Sequence, residues 1–304
     1  MMENISIGKV KLNLENYSGT DTYSDGDIEE RLLEIVRSGQ DIEELLTEST
    51  EWPLLYHLSD IRKNLLSWYP FNKKGSLLEI GAGCGALTGL FCEKTSRVAA
   101  IDLSKRRSEI NAYHNNYDNL EIIVGNFEDI NITEKFDYVT LIGVLEYSIY
   151  YLHCNDPFGE MLRRACSLLK PGGHLITAIE NKYGLKYWAG ATEDHTGVPF
   201  DGIRGYEGVS RVRTFSRGTL LSMMENAGFG ENEIYYPVPD YKMPLEICSP
   251  EHLPGADALG DRSPAYDRPR LVLFNEGEAA MSLKKDGLYE EFANSFLVIS
   301  KKTS

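Results

Sequence analysis

Between Ser76 and Phe91 the chain reads Ser-Leu-Leu-Glu-Ile-Gly-Ala-Gly-Cys-Gly-Ala-Leu-Thr-Gly-Leu-Phe, an order that few folds accommodate. Leu77-Leu78-Glu79-Ile80 is an apolar run of the length of a buried strand in a parallel sheet. Gly81, Gly83 and Gly85 then stand at every second position, and from Ala86 the apolar residues return at helical spacing. Glycines let the chain turn sharply there and let a ligand approach bare backbone. The N–H groups of the helix that follows face the same space and favour negative charge. A strand, a glycine loop and a helix in this order predict a nucleotide cradle.

The glycines alone do not say which nucleotide, because Gly-Ala-Gly-Cys-Gly-Ala also satisfies the loose dinucleotide pattern. Glu79, two residues before Gly81, makes the pattern E-x-G-x-G-x-G. In this form the stretch resembles motif I of class I S-adenosylmethionine (SAM) methyltransferases. The resemblance implies that the acidic residue orders the loop around the methionine end of SAM, with Glu79, Gly81, Ala82, Gly83 and Gly85 as cofactor residues. A dehydrogenase loop faces a pyrophosphate and needs no carboxylate there.

Further along, Arg97–Ile101 is a second apolar strand ending at Asp102. A carboxylate at that strand end can accept hydrogen bonds from both ribose hydroxyls, so Asp102, with Leu103 after it, joins the cofactor set. Leu120–Val124 is a third strand, and the loop Gly125-Asn126-Phe127-Glu128-Asp129 follows. The resemblance puts this loop beside the adenine, with Asn126 where Asp is common, Phe127 available for stacking, and Glu128 next to it. Phe136–Leu145 reads as a fourth strand with Gly143 and Leu145 at its carboxyl end, where open α/β sheets bind ligands. A helix over Phe158–Leu169, stopped at Lys170-Pro171-Gly172-Gly173, leads to a fifth strand, His174–Ile179. Arg217–Ala227 reads as a helix, and Glu233–Val238 and Asn294–Lys301 as strands. The last two would form the antiparallel hairpin that separates this fold from dehydrogenases.

The expected architecture is α/β: a Rossmann-like, mostly parallel class I methyltransferase sheet with a terminal antiparallel hairpin. Residues 1–73 are expected as a helical N-terminal cap and residues 74–304 as the SAM-binding domain. In the cap, Ile5–Leu14 alternates like a strand or hairpin arm, and Ser24-Asp25-Gly26 is turn chemistry. Asp27 is placed to cap a helix Ile28–Val36 closed by Gly39, and Asp41–Leu46 and Trp52–Trp68 read as further helices. Two segments exceed the core: a loop-rich insertion at about 182–213, holding Tyr183, Tyr187, Trp188, Phe200 and Tyr206, and a second at about 240–291. In the second, Pro244, Pro250, Pro254, Pro264 and Pro269 discourage long helices. Loops of that length suit lids or substrate-binding elements.

Composition bounds the partners. The 304 residues carry 31 basic and 46 acidic side chains, a net charge of -15 that repels phosphate backbones and anionic lipid, so no nucleic-acid substrate is expected. Five scattered cysteines without metal-ligand spacing read as reduced thiols. No apolar run approaches membrane-spanning length and no signal core opens the chain, so a cytoplasmic protein is expected.

A narrower resemblance rests on Tyr56-His57-Leu58-Ser59 with Arg62 and Asn64, on Glu180 through Ala191 and Glu193-Asp194-His195, on Arg213–Arg217 and on Tyr236–Lys242. These stretches resemble bacterial methyltransferase modules of surface-polysaccharide biosynthesis. That likeness implies a small-molecule or glycan acceptor and an association with a glycosyltransferase. An alcohol must lose a proton to accept a methyl group, so a base is wanted near the hydroxyl. His195 is the first candidate, oriented by a neighbouring carboxylate such as Asp194, with titration near neutrality; His57 is held in reserve. Glu180 and Asn181 leave the fifth strand where they can bind the acceptor. Asp194, His195, Glu180 and Asn181 offer metal donors, but their spacing matches no fixed motif and no metal is assigned. An NAD(P)-dependent oxidoreductase, a non-catalytic SAM-binding scaffold and an aminopropyltransferase are the alternatives.

Overall fold

The computed structural model describes residues 4–21, 26–49, 51–206, 212–259 and 270–303. The expected turn residues Ser24 and Asp25, together with Pro264 and Pro269, lie outside them. The chain forms two compact units: residues 1–141 with 168–173, and residues 142–167 with 174–304.

In chain order the strands are β1 (Ile5–Ile7), β2 (Val10–Asn13), β3 (Ser76–Ile80), β4 (Arg97–Asp102), β5 (Leu120–Val124), β6 (Phe136–Ile142), β7 (Leu169–Glu180), β8 (Phe229–Val238), β9 (Glu246–Cys248) and β10 (Ser295–Lys302). In the first unit β3 runs parallel between β4 and β6. All five of its residues are buried, as an apolar run covered on both faces must be. β5 continues the parallel set beside β4. The expected hairpin arm is β1–β2, an antiparallel pair that extends this sheet by pairing β2 parallel with β5.

Helices Asp27–Ser38, Ile42–Glu48 and Trp52–Leu58 precede β3. Leu32, Ile35, Leu54 and Leu58 pack with Cys84 of the glycine loop and Ile110 of the helix Lys105–His114. The first helix starts one residue earlier than expected: Gly26 is its N-cap and Asp27 lies in its first turn. The expected continuous helix Trp52–Trp68 breaks at Ser59. That residue is extended and its hydroxyl accepts from Ile61 N–H, so a separate 3-10 helix runs from Asp60 to Leu65.

In the second unit the strand order is β7-β10-β8-β9, all antiparallel. β10 pairs with β7 from Ser295↔Glu180 to Lys301↔His174, so the last strand delivers its hydrogen bonds up to the residue where the first insertion leaves. The expected pairing of the final strand with β8 is present. The expected fourth strand ends three residues early, at Ile142, because Gly143 takes φ +68° and turns the chain. The second insertion carries a ten-residue helix, Glu276–Lys285, which begins beyond its last proline.

Candidate active site

The glycine loop of the first unit is held from behind. The N–H groups of Gly81 and Ala82 both donate to the Ile101 carbonyl, and Gly83 N–H donates to Asp102 Oδ2 at 2.8 Å. Behind it a buried polar chain runs from Glu79 through Thr88 to Asn111 and Asn115, then back to the loop. Thr88 Oγ1 donates to Glu79 Oε2 at 2.6 Å, Asn111 donates to Thr88, and Asn115 donates to Asn111 and to the Gly85 carbonyl. Gly85 has to be glycine, since a Cβ there would lie 2.3 Å from Asn111 Oδ1. Burial pushes the Glu79 carboxyl up to about 8 in spite of the Thr88 hydrogen bond.

In contrast to Gly85, Gly83 is glycine for its conformation alone. Its φ is +54° and a Cβ would meet nothing within 4 Å, so the loop leaves open space on its outer side. Asp102 accepts one backbone N–H on each oxygen, from Gly83 and from Ser104. Each oxygen keeps a lone pair for a hydroxyl. An open glycine cradle beside a carboxylate with accepting capacity fits SAM. Of the other expected cofactor residues, Leu103 follows directly on Asp102. Asn126 turns its Oδ1 to the N–H of Glu128, and Phe127 is buried. Gly143 and Leu145 belong to the second unit. A Cβ on Gly143 would stand 2.9 Å from the Tyr241 hydroxyl.

The second unit gathers a compact ionisable cluster. Glu146 follows the carboxyl end of β6, Glu180 ends β7, and His195 lies in the first insertion. His195 Nε2 stands 3.8 Å from Glu146 Oε1 and 3.9 Å from Glu180 Oε2. Glu146 is 1% exposed and Glu180 0%. Among the described residues, both Glu146 oxygens and Glu180 Oε2 lack a hydrogen-bond partner. The other Glu180 oxygen takes the Lys242 ammonium at 2.6 Å and the Tyr241 hydroxyl at 3.4 Å.

The carboxylate that orients His195 is Glu193, not Asp194. Glu193 Oε1 lies 3.0 Å from His195 Nδ1, and its Oε2 accepts the N–H groups of His195 and Thr196. Tyr206, in a left-handed backbone conformation (φ +57°), also brings its hydroxyl to Glu193 Oε1. Asp194 turns the other way and binds Lys186 at 2.7 Å and Lys242 at 2.9 Å. Burial opposes ionisation of Asp194, but these two ammonium groups hold its carboxyl well below the usual range.

Titration of His195 near neutrality is not what this geometry gives. Burial alone would lower its pKa, but Glu146, Glu180 and Glu193 together push it up to about 10. The imidazole therefore carries a proton at neutral pH. Burial, with the Glu180 charge adding, raises Glu146. Asn181 differs from expectation too. It is fully buried, its amide donates to the carbonyls of Glu291 and Ala293, and its Oδ1 accepts Tyr183 N–H. It anchors the exit of β7. His57 lies in the first unit, where burial and the charges of Arg107 and Arg62 push it down to about 3.

Reasoning from sequence missed Glu146, Glu193 and Lys242 as site residues. Lys242 lies 62 positions after Glu180, and only the fold could bring the two together. Glu146 carried a usable signal, since it directly follows Leu145 in the strand-end stretch that also holds Gly143.

The comparisons bear on the family and the fold. Residues 54–230 match the family model described as a methyltransferase domain. The chain is a member of that family, and its fold is the Rossmann-like α/β fold of SAM-dependent methyltransferases. It is 30% identical over 115 residues to a malonyl-[acyl-carrier protein] O-methyltransferase of Priestia megaterium, a match covering 37% of this chain and 39% of that protein. It is 25% identical over 142 residues to a ubiquinone biosynthesis O-methyltransferase of Stutzerimonas stutzeri, covering 45% of this chain and 58% of that protein. The chain thus spans between a third and three fifths of these relatives. Among solved structures it is similar in fold to phosphoethanolamine N-methyltransferase 1 of Haemonchus contortus in complex with phosphoethanolamine and S-adenosylhomocysteine. There the TM-score is 0.50 and the identity 13%, covering 91% of this chain and 49% of that one. The family decides against the nicotinamide oxidoreductase. Among the described residues no helix is long and apolar enough to cross a membrane.

Proposed function

We propose that this chain methylates a hydroxyl of a saccharide or glycan-related small molecule, and that Glu146, Glu180 and His195 handle the hydroxyl proton. One observation carries the reading: a buried carboxylate with no hydrogen-bond partner among the described residues, Glu146, sits 3.8 Å from the His195 imidazole just beyond a strand's carboxyl end. When bound, SAM supplies an electrophilic methyl group whose transfer breaks a carbon–sulfur bond, leaves the electron pair on sulfur and forms a carbon–oxygen bond. The chain's part is to hold the acceptor oxygen in line, exclude water and take the proton.

Glu146 takes that proton, because its raised pKa brings a carboxylate base closer to neutral pH. His195, held by Glu193, stands between Glu146 and Glu180 and eases the repulsion between the two carboxyl groups. Glu79, Gly81, Ala82, Gly83, Gly85, Asp102, Leu103, Asn126, Phe127, Glu128, Gly143 and Leu145 are the residues we assign to SAM. The saccharide acceptor is supported by the likeness of residues 180–195 and 236–242 to polysaccharide-modifying modules. It is supported too by the exposed rings of Trp188 and Phe200 in the first insertion, which can stack on sugar faces. A working association with a glycosyltransferase follows from the same likeness.

The test is mass spectrometry of a saccharide panel after incubation with methyl-labelled SAM, repeated with Glu146→Gln. Label should appear on a sugar oxygen, and the variant should lose about 10²–10⁴-fold in turnover while keeping SAM affinity within about twofold. Label on an amine, or full activity of Glu146→Gln, would move the reading elsewhere.

A further inference from the structure

We propose that Glu146, Glu180 and His195 form a binding site for one divalent metal ion of the Mn²⁺–Zn²⁺ range. Their donor atoms all lie within 4.8 Å of one another. Two donors bound to one ion at about 2.1 Å can be at most about 4.2 Å apart. His195 Nε2 meets that limit with both carboxylates, at 3.8 and 3.9 Å. The same separations are too long for a direct hydrogen bond. Were a ring proton alone the intended bridge, donor and acceptor would be expected to close to about 2.7–2.9 Å.

Two further observations point to a cation. The oxygens facing the gap, both of Glu146 and Oε2 of Glu180, are buried and have no hydrogen-bond partner among the described residues. Leaving carboxylate oxygens buried and unsatisfied is costly, and a metal ion removes that cost. The imidazole is also set up as a ligand. Glu193 on Nδ1 holds the ring with Nε2 facing the gap, the outer-shell arrangement usual for metal-bound histidine. Binding then displaces a proton from Nε2 and puts the ion in its place.

Two carboxylate oxygens and one imidazole nitrogen suit Mn²⁺, Fe²⁺ or Zn²⁺ better than a purely oxygen-seeking ion. Lys242 occupies the other Glu180 oxygen, which favours one-point ligation by that residue. Three protein donors leave coordination positions open, as in catalytic rather than structural sites. Binding of the ion stands on these contacts alone. Its use, to lower the pKa of a coordinated acceptor hydroxyl, rests on the reading given under Proposed function.

The experiment is titration of the chelator-stripped full chain with Mn²⁺ alone, followed by the paramagnetic resonance signal of the free ion, with Zn²⁺ as competitor. One Mn²⁺ should bind per chain and be displaced by Zn²⁺. Glu146→Gln and His195→Ala should each weaken binding at least tenfold, and Glu193→Gln roughly tenfold or more through the outer shell. Because a buried variant can fail to fold, the wild-type chain carries a second readout. Bound Mn²⁺ should broaden the ring resonances of His195 before those of the other five histidines. Absence of Mn²⁺ and Zn²⁺ binding at millimolar ion, in protein that still binds SAM, would overturn the site. So would binding that survives both ligand variants or that broadens another histidine first. A chain that binds Mn²⁺ at His195 yet labels no hydroxyl would leave the site standing and remove only the acceptor reading.

Discussion

Glu79 shows how one residue can be both a motif mark and a source of pH dependence. Its carboxyl titrates at about 8 in the fold against 4.5 as an ordinary side chain. A raised carboxyl pKa means that the folded state holds a proton the unfolded chain has given up, so stability falls as pH rises from 4.5 to 8 and is level above. Urea unfolding of wild type and Glu79→Gln at pH 5.5 and 7.5 checks this. The wild type should lose about 1–3 kcal/mol relative to the variant between the two values. Equal pH slopes would mean that Glu79 is ionised in the fold. Asp102 is the second case at this scale. Asp102→Ala removes the proposed ribose acceptor and the tether on Gly83 N–H together, so SAM affinity measured by calorimetry should fall by about 2–4 kcal/mol. Unchanged affinity would remove Asp102 from the cofactor site.

At the scale of elements, the helix Lys105–His114 depends on residues far away in sequence. Asp21 accepts the N–H groups of Lys105 and Arg106 and the Ser104 hydroxyl. Burial opposes its ionisation, but these donors hold its carboxyl below the usual range. The contribution is present above the unfolded pKa of Asp and lost as pH falls through the folded one. Glu29 of the first helix binds Arg107 of this one at 2.7 Å, with the carboxylate buried. Asp21→Ala should therefore cost about 1 kcal/mol at pH 7, read from denaturant midpoints, and the deficit should shrink at low pH. A cap contributed by the N-terminal segment means that residues before β3 help to hold the helix Lys105–His114 in the first unit.

On the scale of the whole molecule, the charge of -15 is spread over both units, and the second buries part of its share. There Glu146, Glu180, Glu193, Asp194 and Asp240 gather around Lys186, Lys242 and His195. The excess of acid is local as well as global, and it favours a cationic or neutral ligand over an anionic one. A phosphate backbone is unsuited to that environment, in line with the exclusion of nucleic acid from composition. Exposed ion pairs such as Lys9–Asp118 and Arg163–Asp156 do little to offset the imbalance, since each is screened by water and salt.

The strands and the glycine loop were legible from sequence because their signals are local: an apolar run, glycines at fixed spacing, a carboxylate at a strand end. The chain order of the sheet strands and the antiparallel close also followed from local pattern. Helix limits were less legible at Ser59, where one hydroxyl competes for a backbone N–H and splits an otherwise continuous apolar face. The partners of His195 were decided only by tertiary structure. Its neighbour Asp194 points away to two lysines, while Glu146 and Glu180 arrive from the ends of two strands. Adjacent residues on a loop need not face one way, and the cations that each buried carboxylate meets set whether it keeps its charge. The upward shifts of Glu79 and Glu146 follow from burial and that of His195 from the carboxylates gathered around it, and both depend on packing between segments distant in the chain.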